Sequence, residues 1–173
     1  IKELYDKFFN GAFPELSKRL GIVYTPVEVV DFIIASVQDV LRNEFGTSLG
    51  NRNVHILDPF TGTGTFITRL LQSGFISRAD LPYKYQHEIH ANELVLLAYY
   101  IASINIETAY HDLLRGPEDG KDQEKEATEY TPFPGICLTD TFQMYEKDDL
   151  VDALLVDNSA RRKRQKKLDI RVI

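Results

Sequence analysis

The sequence predicts an α/β fold in which helices flank a parallel sheet. Four short apolar segments of the kind found in buried strands alternate with helical patterns, which favours parallel strands joined by crossover helices. The chain has 173 residues, of which 43% are hydrophobic and 27% are charged, so we expect one domain with a substantial core. No internal repeat interrupts this pattern.

Two helical segments are predicted before the first strand. Residues 1–24 are expected to form an N-terminal helical segment, because apolar side chains cluster near its start. A longer helix is predicted to begin at Thr25, with Thr25 as the N-cap, Pro26 at the first helical position and Glu28 completing a capping box. Gly46 is predicted to end this helix.

Strands and helices alternate over the rest of the chain. The predicted strands are VHILD, EIHANE, ICLTD and LDIRVI, and the predicted helices between them include GTFITRLLQSGF and LVLLAYYIASINIETAYHDLL. We interpret SRADLPYKYQHE as a connection with room for a helical turn, and GPEDGKDQEKEATEYTPFPG as a mobile loop. The segment DLVDALLVD is a candidate short helix.

Composition narrows the class of protein. A formal charge of −6 argues against a compact protein that grips nucleic acid with most of its surface. The single cysteine, Cys137, excludes an intramolecular disulfide and fits a reducing cytoplasm. No signal peptide is visible and the longest apolar run is too short for a bilayer, so we expect a cytoplasmic location and no membrane contact. His87 and His90 have no partners at ligand spacing, so no metal is expected.

The most informative segment is LDPFTGTGTF, which joins the first strand to its helix. Gly62 and Gly64 allow a sharp turn and a close approach to a ligand, and the free N–H groups of the following helix point the same way. The turn alone is equally compatible with a tight strand-helix connection. Because the carboxyl ends of parallel strands share one edge, Asp58, Glu93 and Asp140 are predicted to lie there together.

These acids restrict the kind of ligand. A P-loop would need a lysine where this turn has Thr65, and a dinucleotide fingerprint would need a third glycine where it has Ile67. An acid at the mouth of the turn, Asp58, would repel pyrophosphate and suit a cation. A ligand with an amino group, a sulfonium, a ribose and an adenine fits best, which indicates S-adenosyl-L-methionine.

The motifs resemble those of DNA methyltransferases that act on the N6 amino group of adenine. DPFTGTGTF is similar to their motif I, GIVYTPVEVVDFI to motif X, ANELV to motif II and LTDTF to motif III, in the gamma order. The segments LYDKFFNGAFPELSKRLGIVYTP and SARRKRQKKLDIRVI also resemble a narrower group, the large single-polypeptide restriction-modification enzymes and predicted helicases with an adenine-methylase domain. The resemblance covers nearly the whole chain. It implies a Rossmann-like S-adenosylmethionine-dependent methyltransferase domain over residues 25–173, truncated after the fourth strand.

The resemblance also implies roles for individual residues. Asp58 would face the amino group of the cofactor, Glu93 the ribose hydroxyls and Asp140 the adenine amine. Phe142, or else Phe60, would lie against the adenine ring. The glycine turn and the start of the first long helix would approach the methionine end. The complete implied set is Tyr24, Thr25, Pro26, Asp58, Phe60, Thr61, Gly62, Gly64, Glu93, Asp140 and Phe142.

Each of these residues also has an ordinary structural interpretation. Tyr24 and Phe142 would serve equally as packing residues, and Thr25 as a helix cap. The acids would serve as turn starters or as partners of a helix dipole. Their predicted convergence on one edge is what favours a ligand.

The catalytic residues are expected outside this chain. In the resembled family an Asn/Asp/Ser-Pro-Pro-Tyr/Phe tetrapeptide follows the fourth strand, and none of the seven prolines here belongs to a Pro-Pro pair. We therefore expect a piece of a larger protein, with the tetrapeptide after Ile173, that binds cofactor but does not methylate alone.

The resemblance implies DNA as the partner, mainly through other parts of the protein. The basic run from Arg161 to Lys167 is a candidate contact with the DNA backbone, although a solvated, flexible connection is the favoured interpretation. Two alternatives to DNA adenine methylation within restriction-modification remain. One is methylation of an amine on RNA or protein, and the other is a non-catalytic scaffold that retains the fold.

Overall fold

The computed structural model describes residues 25–116, 129–143 and 157–173. Within these ranges a π-helix follows α3 directly, and a 3-10 turn follows β3. The predicted helix over residues 1–24, with Tyr24, lies outside the described residues, as do most of the acidic loop and of DLVDALLVD. The elements in chain order are α1 Val27–Phe45, β1 His55–Asp58, α2 Thr65–Gln72, α3 Leu81–Tyr83, the π-helix Lys84–Glu88, β2 Ile89–Glu93, α4 Leu96–Arg115, β3 Ile136–Leu138, the 3-10 turn Thr141–Gln143, α5 Asn158–Gln165 and β4 Ile170–Val172.

The four strands form one parallel sheet in the order β3-β2-β1-β4. The register places Asp58 beside Ala91 and Glu93 beside Leu138. Helices flank this sheet, so the predicted α/β class is confirmed and the architecture is Rossmann-like. The chain moves outward from β1 to β3 and then returns to the far side of β1. In sheets of this kind a ligand crevice lies at the carboxyl ends of the strands, where the order reverses.

The core joins α1, α2 and α4 to the sheet. Val30 of α1, Ile67 of α2 and Ile106 of α4 belong to one cluster of buried apolar side chains that includes Ile56 and Ile89 of the strands. Burying each such side chain contributes about 1.5–3 kcal/mol to folding. In the three described ranges, no helix is long and apolar enough to cross a membrane.

The start of α1 differs from the sequence prediction. Pro26 is extended, with φ −55° and ψ 143°, and its carbonyl accepts the first helical hydrogen bonds at 3.0 and 3.1 Å. Pro26 is therefore the N-cap, the helix begins at Val27, and no side chain in residues 25–116, 129–143 or 157–173 caps it. The predicted capping box of Thr25 and Glu28 is wrong, because the extended conformation of Pro26 shifts the first helical residue from Pro26 to Val27. Gly46 ends α1 in a left-handed conformation with φ 62°, as predicted.

The basic run forms a helix, α5, so its interpretation as a flexible connection is wrong. The Arg161 guanidinium donates to the Tyr99 hydroxyl at 3.1 Å and to the Ile136 carbonyl at 3.3 Å. Arg162 and Gln165 on the same helix are buried. Tertiary contacts with β3 and α4 thus order a segment whose local sequence shows only charge.

The connection before β2 contains a buried ion pair. Lys84 Nζ lies 2.8 Å from Glu88 Oε2, and the two side chains are 0% and 1% exposed. Lys84 also donates to the Val54 carbonyl at 2.8 Å, and Glu88 Oε1 accepts from the Asn53 N–H at 2.6 Å. The pair joins the π-helix to the chain that enters β1.

Candidate ligand site at the carboxyl ends of the strands

The three predicted acids lie on one edge of the sheet. Asp58 is the last residue of β1, Glu93 is the last residue of β2, and Asp140 lies two residues beyond β3. The Thr139 N–H donates to the Glu93 carbonyl at 2.9 Å, so the turn after β3 is held against the end of β2. The structure therefore places all three acids at the carboxyl ends of neighbouring strands, as the strand pattern predicts.

Asp58 has one oxygen in use and one without a partner. Oδ1 accepts from the Phe60 N–H at 3.2 Å, whereas Oδ2 is buried and has no hydrogen-bond partner in the described part of the chain. Burial raises the pKa of Asp58 to about 6, the Phe60 N–H opposes that shift, and the charge of Glu93 adds to it. A donor or a cation placed at Oδ2 would relieve this cost.

Glu93 holds the glycine turn in place. Its Oε2 accepts from the Gly62 N–H at 2.7 Å, and its Oε1 accepts from the Val95 N–H at 2.7 Å. Burial raises the pKa of Glu93, and these backbone donors oppose the shift. Sequence reasoning assigned this acid to a ligand or to a helix dipole and missed its contact with the glycine turn.

The two glycines of the turn have different reasons to lack a side chain. Gly64 has φ 82°, and a Cβ there would lie 3.1 Å from the Ile106 side chain of α4. Gly62 has φ 55°, and a Cβ there would meet nothing within 4 Å. Gly64 thus allows α2 and α4 to pack closely, whereas Gly62 borders open space beside Glu93.

The turns after β1 and β3 each present an aromatic ring. Phe60 and Phe142 are 64% and 84% exposed, and their ring centroids are 5.6 Å apart. The Phe142 N–H donates to Asp140 Oδ1 at 2.9 Å, which fixes the start of the 3-10 turn. A planar ligand could lie against these rings at the edge that carries the acids.

Thr141 connects the turn after β3 to the turn after β1 and to strand β2, and it was not singled out from the sequence. Its hydroxyl donates to the Pro59 carbonyl at 2.6 Å and accepts from Asn92 Nδ2 at 3.3 Å. The Asn92 carbonyl in turn accepts from the Thr61 N–H at 3.0 Å, and Thr61 is buried. No local signal distinguishes Thr141 from its neighbour Thr139 in the sequence.

The remaining predicted residues lie at the start of α1. Thr25 is half-buried and Pro26 is exposed, directly before the first residue of the helix. Because no side chain in the described part of the chain caps α1, its first N–H groups could pair with an anion.

Histidines do not form a metal centre in the part of the chain that the structure describes. His87 packs against Tyr83, with ring centroids 4.7 Å apart, while His90 lies 3.1 Å from His55 between ring nitrogens. Burial, aided by His55, lowers the pKa of His90 to about 3, so this ring is neutral at physiological pH. No group of three metal-binding side chains occurs among the described residues.

The site as a whole suits an amine or hydroxyl ligand with a flat group attached. Two neighbouring carboxylates, Asp58 and Glu93, would accept from donors and repel a pyrophosphate. The open backbone at Gly62 would allow a close approach, and Phe60 and Phe142 offer apolar surface.

Two solved restriction-modification enzymes are similar to almost the whole chain. One is a nuclease-deletion mutant of the Type ISP restriction-modification enzyme LlaGI in complex with a DNA substrate mimic, with 47% identity and a TM-score of 0.77, and it matches 99% of this chain and 13% of that chain. Another is the ATP-dependent Type ISP restriction-modification enzyme LlaBIII bound to DNA, with 53% identity, a TM-score of 0.76, and 97% of this chain matched to 11% of that chain. This chain resembles a segment of Type ISP restriction-modification enzymes.

The DrdV–DNA complex, solved by cryo-electron microscopy, is similar as well. Its identity is 39% and its TM-score 0.81, and the match covers 97% of this chain and 15% of that chain. This chain therefore spans less than one sixth of the length of each of these proteins. No protein-family model and no curated protein matches it.

Proposed function

We propose that these residues form the S-adenosylmethionine-binding part of a DNA adenine-N6 methyltransferase that belongs to a restriction-modification enzyme. The observation that carries the proposal is Asp58 Oδ2, which is buried without a partner among the described residues, beside the open glycine turn. The ammonium group of the cofactor is a donor of the kind that this oxygen lacks. The adenine-methyltransferase motifs and the similarity to DNA-bound restriction-modification enzymes support DNA as the substrate.

Four side chains of the edge would hold the rest of the cofactor, which when bound supplies the methyl group. Glu93 would accept from the ribose hydroxyls, because each of its oxygens keeps a lone pair after accepting from the backbone. Asp140 would accept from the adenine amine, and the rings of Phe60 and Phe142 would contact the adenine. The uncapped start of α1, after Thr25, would favour the methionine carboxylate.

Methyl transfer would also need groups that hold the target amine in line with the methyl group. The tetrapeptide that does this in the resembled family does not occur in these 173 residues. We expect other residues of a longer protein to supply it, so this chain binds cofactor without methylating DNA. Transfer of a labelled methyl group to adenine-containing DNA by this chain alone would contradict that expectation.

Titration calorimetry with S-adenosylmethionine, S-adenosylhomocysteine and NAD tests the cofactor assignment. We expect binding of the first two and not of NAD. Gly62→Ala should abolish this binding, because its methyl group would project into the space for the cofactor. Gly46→Ala is the matched control, since Gly46 has φ 62°, close to the 55° of Gly62, and also borders open space, but lies at the far end of α1.

The outcomes separate the candidate functions. Equal effects of Gly62→Ala and Gly46→Ala would place the ligand elsewhere. Binding of no adenosyl ligand by the unaltered, folded chain would favour the scaffold interpretation. A methyltransferase that acts on RNA or protein would bind the same cofactor, so the calorimetry would not distinguish it. Methyl transfer to DNA rather than to RNA or protein, measured with a longer protein that includes this chain, would then identify the substrate.

A further inference from the structure

We propose that Asp31 of α1 and Arg69 of α2 are a positioning pair that aims the N-terminus of α1 at the ligand site. The inference rests on the proposed function, because it concerns how this chain orients its own groups toward the carboxylate end of the cofactor. Neither residue lies on the edge that carries Asp58 and Glu93.

The pair has the two-point geometry that fixes direction as well as distance. Arg69 Nε donates to Asp31 Oδ1 at 2.7 Å, and Arg69 Nη2 donates to Asp31 Oδ2 at 2.6 Å. Arg69 Nη1 also donates to Gln72 Oε1 at 3.2 Å, which steadies the guanidinium on its own helix. Hydrogen bonding to Arg69 lowers the pKa of Asp31, so the pair stays ionised near neutral pH. The Arg69 and Asp31 side chains are 35% and 42% exposed, and a bidentate guanidinium–carboxylate contact is more specific in direction than a single-point ion pair at the same exposure.

Contacts at both ends show that α1 and α2 run in the same direction. Asp31 and Arg69 each lie four residues after the first residue of their helices, which is about 6 Å of helix. At the other end, Gly50 follows α1 and approaches Phe75, which follows α2, so closely that a Cβ on Gly50 would lie 2.5 Å from the Phe75 carbonyl oxygen. The two N-termini therefore lie side by side. Because α2 starts directly after the glycine turn, α1 starts beside that turn as well.

The ion pair supplies an orientation that apolar packing does not. Val30 and Ile34 bury α1 against the core, but apolar burial is largely non-directional and permits the helix to rotate or slide. None of the described side chains caps the start of α1, which leaves its N–H groups and dipole facing a ligand carboxylate in the proposed site. Fixing the rotation of α1 through Arg69 would determine where these groups point.

The test compares two ligands that differ only at the amino-acid end. S-adenosylhomocysteine carries the homocysteine carboxylate and amine, whereas methylthioadenosine has the same adenosine and sulfur without them. We expect Arg69→Met to weaken S-adenosylhomocysteine binding about fivefold, the size of a helix-dipole interaction. Binding of methylthioadenosine should stay unchanged. Exchanging the charges, with Asp31→Arg and Arg69→Asp together, should restore most of the lost affinity.

Arg52→Met is the matched control. Arg52 pairs with Asp80 at 3.3 Å, and it precedes β1 at the opposite end of the sheet. This substitution should leave the affinity for both ligands unchanged. Arg69→Lys serves as a second variant, because it keeps the charge without the two-point contact and should give an intermediate loss if Arg69→Met fails to fold.

Three results would overturn the inference. Equal loss of both ligands would assign the pair to stability alone, and unchanged binding of both would show that it does not orient α1. Failure of the charge exchange to restore affinity would show that the pairing itself is irrelevant. An unaltered chain that binds neither ligand would instead refute the proposed function, so the two failures are distinguishable.

Discussion

At the scale of the residue, Asp58 is a carboxylate that costs the folded protein stability. Its pKa of about 6 lies roughly two units above the ordinary value of 3.8, equivalent to about 3 kcal/mol near pH 7. Because the folded-state pKa is the higher one, this cost is fully present above pH 6. It decreases as the pH falls from 6 to about 4 and is absent at lower pH, where the group is protonated in both states. A stability cost of this kind, at the edge of the sheet that carries the candidate ligand site, is consistent with a carboxylate that binds a cation.

Cofactor affinity should therefore depend on pH through Asp58. Only the ionised carboxylate pairs with an ammonium group, so we expect binding of S-adenosylmethionine to be roughly tenfold tighter at pH 7 than at pH 5. Titration calorimetry in two buffers of different ionisation enthalpy would measure both the affinity and the protons released. Asp58→Asn should bind more weakly at pH 7 and lose the pH dependence. The same pH profile in Asp58→Asn and in the unaltered protein would refute the role of Asp58.

Glu93 and Thr141 show how far residue types predict a site. The rule that parallel strands end at one edge of the sheet was enough to predict that Glu93 lies on the same edge as Asp58. The partners of its oxygens depend on where the N–H of Gly62 points, and that direction arises only when the turn packs against the neighbouring strand. The role of Thr141 is harder to predict from the sequence, because its hydroxyl donates to the carbonyl of Pro59, which is distant in sequence.

At the scale of the element, hydrophobic periodicity predicted most helices and strands, and tertiary contacts decided the rest. The strands and the helices α2 and α4 match apolar patterns that can be read locally. The helix α5 has almost no apolar residue, and its order comes from Arg161 bonding to Tyr99 and to the edge of β3. The π-helix likewise contains the buried pair of Lys84 and Glu88, whose burial cannot be read from a charge pattern typical of exposed residues.

Breaking the pair within the π-helix should destabilise the fold strongly. Lys84→Met would leave the Glu88 carboxylate buried without its cation, and we expect the free energy of unfolding to fall by about 3–5 kcal/mol. Urea unfolding followed by circular dichroism would measure this change.

The double variant distinguishes a lost attraction from an uncompensated charge. Lys84→Met with Glu88→Gln should be more stable than Lys84→Met alone, because the glutamine is neutral and its carbonyl oxygen can still accept from Asn53. Strictly additive losses from the two substitutions would show that the side chains do not interact.

At the scale of the whole molecule, charge is distributed unevenly. The chain carries a net charge of −6, yet six of the seven residues from Arg161 to Lys167 are basic. Part of that charge is used internally, since Arg161 bonds within the fold and Arg162 is buried. Lys163 and Lys167 are exposed on the same segment. If this protein contacts DNA through these residues, a few cations must attract the phosphates while the net negative charge of the chain repels them.

Salt dependence would measure that contact directly. We propose that Lys167 neutralises one phosphate, so replacing it with glutamine should reduce the slope of log affinity against log salt by about 1. Fluorescence anisotropy with duplex DNA at several low salt concentrations would give the slope. Arg171→Gln is the control, because Arg171 of β4 is an exposed cation outside α5 that pairs with Asp169 at 2.9 Å. Equal slopes for the lysine variant and the unaltered protein would exclude this contact, since a phosphate contact cannot be lost without releasing fewer counterions.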